Sequence, residues 1–167
     1  MKSRASGSYV LLIDLEKTQN ISVGALGELR FDQGSYAYVG SALNGVESRV
    51  RYHLRKGKRP HWHIDYLLER ARIESVLICR SIDRLECRIA RELGAEATPV
   101  NGFGCSDCHC VSHLFFGATT KVAGEAIARA TTATFTLLSS AQLRHNETGY
   151  MPFLEPATSG RRAGDPL

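Results

Sequence analysis

Two side chains suited to phosphate chemistry lie four residues apart in a strongly basic stretch of the sequence. At this spacing Arg49 and His53 would share one face of a helix, beside an apolar stripe of Val46, Val50 and Leu54. A guanidinium offers a planar fork of hydrogen-bond donors, and an imidazole can transfer a proton near neutral pH. The pair therefore predicts a site that meets a phosphodiester.

Further cations surround this pair, and no carboxylate interrupts them. They are Arg51, Arg55, Lys56, Lys58 and Arg59. The formal net charge of +4 favours an anionic partner, although such a charge is common among globular proteins. Two interpretations stay open: the cations bind a nucleic-acid backbone, or they form a solvated helix face and loop.

Three cysteines and a histidine form a second group of potential ligands. They are Cys105, Cys108, Cys110 and His113. Thiolate and imidazole are borderline-soft ligands, and four of them can close a tetrahedral Zn²⁺ site. Their tight spacing lacks the two separated pairs of a typical zinc ribbon. The cysteines can instead be small buried residues, or their loop can lie over the basic helix as part of its site.

The segment HWHID adds three more potential ligands, His61, His63 and Asp65. They would join the cysteine group only if folding brings the two regions together. The histidines can equally bond to the backbone or to Asp65, so their role also stays open.

The elements that must position these residues predict an α/β (α+β) fold, in which helices flank a small, mainly antiparallel central sheet. Strands are predicted at 9–15, 21–23, 28–31, 36–39 and 73–79, with a last short one in HLFF. Helices are predicted from about Leu43 to Lys56, from His61, and from an Asp83 cap to about Leu93. Residues 95–110 are predicted to form a loop.

Length and composition fit one well-cored domain, with 43% hydrophobic and 23% charged residues in 167. We place a compact domain at residues 1–117 and a C-terminal extension, partly helical or disordered, at 118–167. The N-terminal apolar run is short and broken by Asp14, which predicts neither a signal peptide nor a membrane span. Isolated and clustered cysteines are unlike a secreted disulfide framework, so we expect a cytoplasmic protein.

Several motifs occur in an order that resembles the GIY-YIG nuclease family. Gly7-Ser8-Tyr9, Tyr38-Val39-Gly40 and the helix from Arg49 to His53 follow one another, and Glu86 matches that family's metal-binding glutamate. The segments YVGSA, HWHIDYLL, LECRIA and GFGCSDCHCVSHLF are similar to an uncharacterised subfamily of this fold, whose members are sometimes fused to endonuclease III-type DNA glycosylases. The resemblance covers about residues 7–117.

The resemblance implies a metal-dependent endonuclease that hydrolyses phosphodiester bonds in DNA, in the setting of DNA repair. Tyr9 would be the general base or orient the attacking water, with Tyr38 in support. Arg49 would offset charge on the phosphate, Glu86 would hold Mg²⁺ or Mn²⁺, and His53 would assist. DNA and a DNA-repair protein are the expected partners.

Each of these residues also has a simpler interpretation. Tyr9 and Tyr38 can be core aromatics of strands, and Glu86 can be a solvated helix residue. The alternative functions are a nucleic-acid-binding module without catalysis and a zinc-stabilised interaction domain.

Overall fold

The computed structural model describes residues 5–145. Its strands in chain order are β1 (Gly7–Leu15), β2 (Gln19–Ser22), β3 (Glu28–Phe31), β4 (Gly34–Ala42), β5 (Arg72–Arg80), β6 (Thr98–Pro99), β7 (Leu114–Phe116) and β8 (Phe135–Ser139). Its helices are α1 (Val46–Leu54), α2 (His63–Leu68), α3 (Glu86–Leu93), α4 (Thr120–Ala130) and α5 (Ser140–His145). A single 3-10 turn, Gly24–Leu26, lies between β2 and β3.

Six strands form one sheet in the order β6-β7-β4-β1-β5-β8, and every neighbouring pair is antiparallel. Strands β2 and β3 form a separate hairpin. The central strand β1 is apolar almost throughout, because helices cover both faces of the sheet. The prediction of a mainly antiparallel sheet flanked by helices is confirmed.

Alternate residues of β1 enter two separate cores, as the pleat of a strand requires. Tyr9 and Leu11 pack on the side of α1 and α2, where Val50 is fully buried. Val10 packs on the opposite side against α3 and α4, with Ile127 in the same cluster. The sheet therefore holds α1 and α3, the two helices that carry the predicted site, on fixed positions of its two faces.

Helix α1 is shorter than the predicted span from Leu43 to Lys56. It begins at Val46, because Gly45 adopts a φ of 120°, outside the helical region and strained for any residue with a Cβ. It ends at Leu54, since the backbone of Arg55 is extended.

Asp83 does not cap α3 as predicted. The helix begins at Glu86, and the hydroxyl of Ser8 accepts a hydrogen bond from the Leu85 amide at 3.2 Å. Asp83 instead donates its backbone N–H to the Ser81 hydroxyl at 3.0 Å. Central strand β1 thus anchors the start of α3, which a sequence pattern local to the helix cannot show.

Residues 118–145 of the predicted extension form α4, β8 and α5. Strand β8 pairs with β5 and extends the sheet, while α4 begins at Thr120 and packs on the apolar face of α3. The rest of the predicted extension, 146–167, lies outside the described residues. None of the helices between residues 5 and 145 is long and apolar enough to cross a membrane.

We predict that Ile127→Ala destabilises the fold by about 2 to 5 kcal/mol, because it removes a fully buried side chain from the core between sheet and helices. Urea denaturation followed by circular dichroism measures this loss. Lys121→Ala, an exposed change on the same helix, should alter the unfolding free energy by less than about 0.5 kcal/mol. Equal stability of the two variants would mean that α4 is not part of the cooperative fold.

Candidate functional site

A cleft of about 700 Å³ opens where β4 ends and α1 begins. Tyr9, Tyr38, Arg49 and Glu86 line it, although they come from β1, β4, α1 and α3 respectively. His53 lies beneath the cleft and is buried. The fold therefore brings together the five residues for which the sequence predicts catalytic roles.

Tyr9 is buried, and its hydroxyl lies 2.7 Å from Nε2 of His53. The neighbouring strand allows this position only because residue 40 is glycine. Gly40 stands opposite Tyr9 in the β1–β4 register, and a Cβ there would overlap the tyrosine hydroxyl. The glycine of the second motif therefore makes room for the tyrosine of the first.

Asp65 lies on the other side of the His53 ring, with Oδ1 3.7 Å from Nδ1. The carboxylate is buried, and its Oδ2 accepts hydrogen bonds from the backbone N–H groups of His61 and Trp62 at 2.9 and 3.0 Å. Tyr52 donates its hydroxyl to the same oxygen at 3.1 Å. Three donors thus hold the carboxylate in place beneath the cleft.

The order Tyr9, His53, Asp65 favours one tautomer of the imidazole. A negative oxygen beside Nδ1 favours the proton on that nitrogen, which leaves Nε2 to accept from the tyrosine hydroxyl. At 3.7 Å the contact between Nδ1 and Oδ1 is longer than a hydrogen bond, and neither atom has a hydrogen-bond partner among the described residues. The three side chains thus form a polar path from the cleft to a buried charge.

The pKa shifts of the three groups follow from their surroundings. Burial raises the pKa of Tyr9 well above its ordinary value, and Tyr38 adds to the shift while Arg49 opposes it. Burial lowers the pKa of His53 more than Asp65 raises it. Burial alone would raise the pKa of Asp65, but its contact with His53 and its hydrogen bonds hold it well below the ordinary range. At neutral pH the path contains a phenol, a neutral imidazole and a carboxylate.

Arg49 places its guanidinium over the ring of Trp62, with 4.2 Å between the guanidinium carbon and the ring centroid. This stacking orients the planar fork without neutralising it. Within residues 5–145 Arg49 forms no ion pair with a carboxylate. Its charge is therefore available to an anion in the cleft.

Glu86 is the first residue of α3, and its side chain is only 14% exposed. One oxygen, Oε1, lies 3.6 Å from Nε of Arg84. The other, Oε2, is buried and has no hydrogen-bond partner in the described part of the chain. Such an oxygen is costly unless a ligand satisfies it. Because Glu86 lines the cleft, its carboxylate suits a bound cation or a ligand donor.

The predicted nucleic-acid-binding cations separate into two groups. Arg51, Arg55, Lys56 and Arg59 are exposed. Lys58 turns inward, because Nζ donates to the carbonyl oxygens of His53 and Arg55 at 3.2 and 3.1 Å and lies 3.8 Å from Asp65. The fold places Lys58 in the support of the cleft and not on an open surface.

The cysteine group differs from the predicted one by one ligand. Cys87, Cys108, Cys110 and His113 bring their ligand atoms within 4.8 Å of one another and could hold a metal ion. Their thiols and imidazole indicate a Zn-type site. The inclusion of Cys105 was wrong: its thiol faces the carbonyl oxygen of Val111 at 3.8 Å. Cys87 could not be recognised from the spacing of the cysteines, because it lies in a different element, α3, away from the loop along the chain.

The three additional ligands considered in HWHID do not join this group. His63 accepts a hydrogen bond at Nδ1 from the backbone N–H of Gly104 at 3.0 Å. His61 packs edge-on against Trp62 at the cleft, and Asp65 has the partners described above. Within residues 5–145, the cysteine group just described is the one set that has metal-ligating proximity.

Comparison with protein families matches residues 8–136 to the Domain of unknown function DUF123. The chain is a member of the DUF123 family. The DUF123 match contains the whole cleft and the Cys/His group, and it extends into β8. Neither a curated protein nor a solved structure matches the chain.

We predict that this DUF123 protein loses stability as the pH falls through the range in which the unfolded His53 binds a proton. The folded pKa is lowered, so protonation below the ordinary value of about 6.5 favours the unfolded chain. Urea denaturation at about pH 8 and about pH 5.5 should show a larger loss for the wild type than for His53→Gln, which cannot titrate.

The matched control for this measurement is His61→Gln, a change at an exposed histidine of the same region. Between the two pH values this variant should lose as much unfolding free energy as the wild type does. If His53→Gln and the wild type lose the same unfolding free energy, the neutral buried state assigned to His53 is incorrect.

Proposed function

We propose that this protein is a GIY-YIG-type endonuclease that hydrolyses phosphodiester bonds in DNA with the help of Mg²⁺ or Mn²⁺. The observation that carries the proposal is the buried Oε2 of Glu86, which has no hydrogen-bond partner among residues 5–145, on a residue that lines one cleft with Arg49 and Tyr9. A carboxylate oxygen without a partner, a cation without an anion and a buried proton path are the parts that this reaction needs.

Glu86 is the proposed metal ligand, since Mg²⁺ prefers carboxylate, water and phosphate oxygens and one carboxylate suffices if substrate and water supply the rest. Such an ion offsets the charge of the phosphate and polarises its oxygens. Arg49, held by Trp62, would bind a nonbridging oxygen with its fork and stabilise the charge that grows there during attack.

Tyr9 would orient the attacking water and accept its proton. Its phenol passes its own proton to Nε2 of His53 at 2.7 Å, and the buried carboxylate of Asp65 stabilises the resulting imidazolium. Burial raises the pKa of the phenol and so opposes its ionisation. Arg49 lowers that pKa, and a cation held by Glu86 would lower it further. Substrate binding is thus what would activate the base.

Tyr38 supports this arrangement by packing. Its ring stands edge-on to His53 at 6.3 Å and to Phe103 at the same distance. Because Tyr38 also lines the cleft, we assign it the role of orienting Tyr9 and the substrate.

The DNA backbone would run from the cleft along the end of α1. Arg51, Arg55, Lys56 and Arg59 are exposed there and carry no carboxylate partner in the described chain. A setting in DNA repair, with a repair protein as partner, in the cytoplasm, is part of the proposal and rests on the resemblance to proteins fused to DNA glycosylases.

A second function is favoured by one observation, the raised pKa of the buried Tyr9. If nothing lowers that pKa, the cleft binds a phosphate without hydrolysing it, and the protein is a nucleic-acid-binding module. The two functions differ in cleavage, not in binding.

We predict that the purified protein nicks plasmid, branched or abasic DNA in Mg²⁺ or Mn²⁺, and that Glu86→Gln and Arg49→Ala each lower the rate on the order of 100-fold or more. Gel analysis of labelled DNA measures the rate. Circular dichroism and thermal melts establish that the variants are folded.

Two exposed changes serve as matched controls, Glu125→Gln on α4 and Arg30→Ala on β3, neither of which lines the cleft. Both should cleave like the wild type. Cleavage that survives unchanged in Glu86→Gln would remove the metal role, and DNA binding without cleavage in any metal would leave the binding module.

We also predict that DNA affinity falls steeply with salt, because the exposed cations release counterions from the backbone. Fluorescence anisotropy at several salt concentrations gives the slope of log Kd against log salt. Arg55→Ala and Arg59→Ala should each reduce that slope by about 1, whereas Arg30→Ala leaves it unchanged. An affinity that barely responds to salt would contradict the proposed DNA path.

A further inference from the structure

We propose that Cys87, Cys108, Cys110 and His113 hold one Zn²⁺ in a closed tetrahedral site, and that this ion fastens the loop before β7 to the first turn of α3. The loop of interest, named here the cysteine loop, comprises residues 104–111. Two of the ligands, Cys108 and Cys110, come from this loop, His113 follows it just before β7, and Cys87 comes from the helix.

The distances among the ligand atoms match such a site. Nε2 of His113 lies 3.5 Å from the thiol sulfur of Cys108 and 3.8 Å from that of Cys87. A tetrahedron with Zn–S of about 2.3 Å and Zn–N of about 2.0 Å has S···N edges of roughly 3.5 Å. All four ligand atoms lie within 4.8 Å of one another, so little movement would close the site.

The donor set selects the ion. Three thiols and an imidazole favour Zn²⁺ over the hard cations Mg²⁺ and Ca²⁺, which take oxygen ligands. Four protein ligands leave no open position, which is typical of a structural zinc and unlike a catalytic one.

Hydrogen bonds, and not burial, hold the cysteine loop: the backbone N–H of Gly104 donates to Nδ1 of His63, and that of Gly102, just before the loop, donates to the carbonyl oxygen of Val111. No residue from Gly104 to Val111 is buried, and Val111 is 65% exposed. Phe103 and Ser112, just outside it, are the nearest buried positions. A segment that buries no hydrophobic side chain gains stability from a cross-link, and a metal ion would provide one.

The zinc would also shape the cleft, a consequence that rests on the proposed function. Cys87 directly follows Glu86, while Gly104, Ser106 and Asp107 of the cysteine loop also line the cleft. One ion would therefore fix both the turn that carries the proposed Mg²⁺ ligand and the loop residues that line the same cleft. This makes Cys87 a positioning residue and not a catalytic one.

The test measures zinc by elemental analysis in protein purified without chelator, with Cys87→Ser as the variant and Cys105→Ser as its matched control. Wild type and Cys105→Ser should contain about one zinc per chain, and Cys87→Ser should bind it about 100-fold or more weakly. Exchange of Zn²⁺ for Co²⁺ should give the wild type the intense visible and near-ultraviolet bands of tetrahedral thiolate coordination. The same bands should be weak in Cys87→Ser.

Hydrogen exchange supplies a readout for the loop itself. Removal of zinc by a chelator should speed amide exchange in residues 104–111 while the central strand β1 keeps its protection. These measurements do not depend on cleavage, so they succeed or fail independently of the nuclease proposal.

Three results would overturn the inference. Protein free of zinc, with the loop equally protected before and after chelation, would exclude the site. Loss of zinc in Cys105→Ser but not in Cys87→Ser would show that the ligand set is wrong. A disulfide among these cysteines in protein purified under reducing conditions would replace the metal as the cross-link.

Discussion

The Asp65 carboxylate, buried beneath the cleft, ties the segment before α2 to α1. It accepts the backbone N–H groups of His61 and Trp62 and the hydroxyl of Tyr52, and it faces His53. A charge buried this deeply is stable only when donors surround it, and the Lys58 side chain turns inward to supply a cation beside it. The orientation of His53, and through it the hydroxyl of Tyr9, depends on this arrangement. Trp62, positioned by the same carboxylate, in turn stacks on Arg49.

The sheet provides the second constraint, because β1 lies at its centre and contributes side chains to both cores. Tyr9 reaches the cleft on one face, while Ser8, its neighbour on the strand, faces the other side and bonds to the amide that precedes α3. Two adjacent residues of β1, on opposite faces of the sheet, thus position both Tyr9 and the helix that carries Glu86. The GIY-YIG motif, which the start of this chain resembles, has isoleucine where this chain has Ser8. The serine hydroxyl has a structural role here, because it accepts a hydrogen bond from a backbone N–H at the start of α3.

The first turn of α3 connects the two groups of chemically active residues. Glu86 enters the cleft, and Cys87 enters the Cys/His group. Adjacent residues on a helix point about 100° apart, so one turn can serve two sites that share a wall. The cysteine loop, bounded by both, buries none of its residues, and the proposed metal would stabilise its conformation.

Apolar periodicity, a local property of the chain, was enough to predict the fold class and the mainly antiparallel sheet. The residues that line the cleft were indicated by the order of motifs that resembles the GIY-YIG family. The sequence also indicated a soft metal site from the cysteines near His113. Only the tertiary structure decided which cysteine completes that site, that Lys58 faces inward, and that Asp65 supports His53. Each of these is a contact between elements distant in sequence, and the geometry of such contacts is set by packing on the sheet, for which spacing along the chain carries no signal.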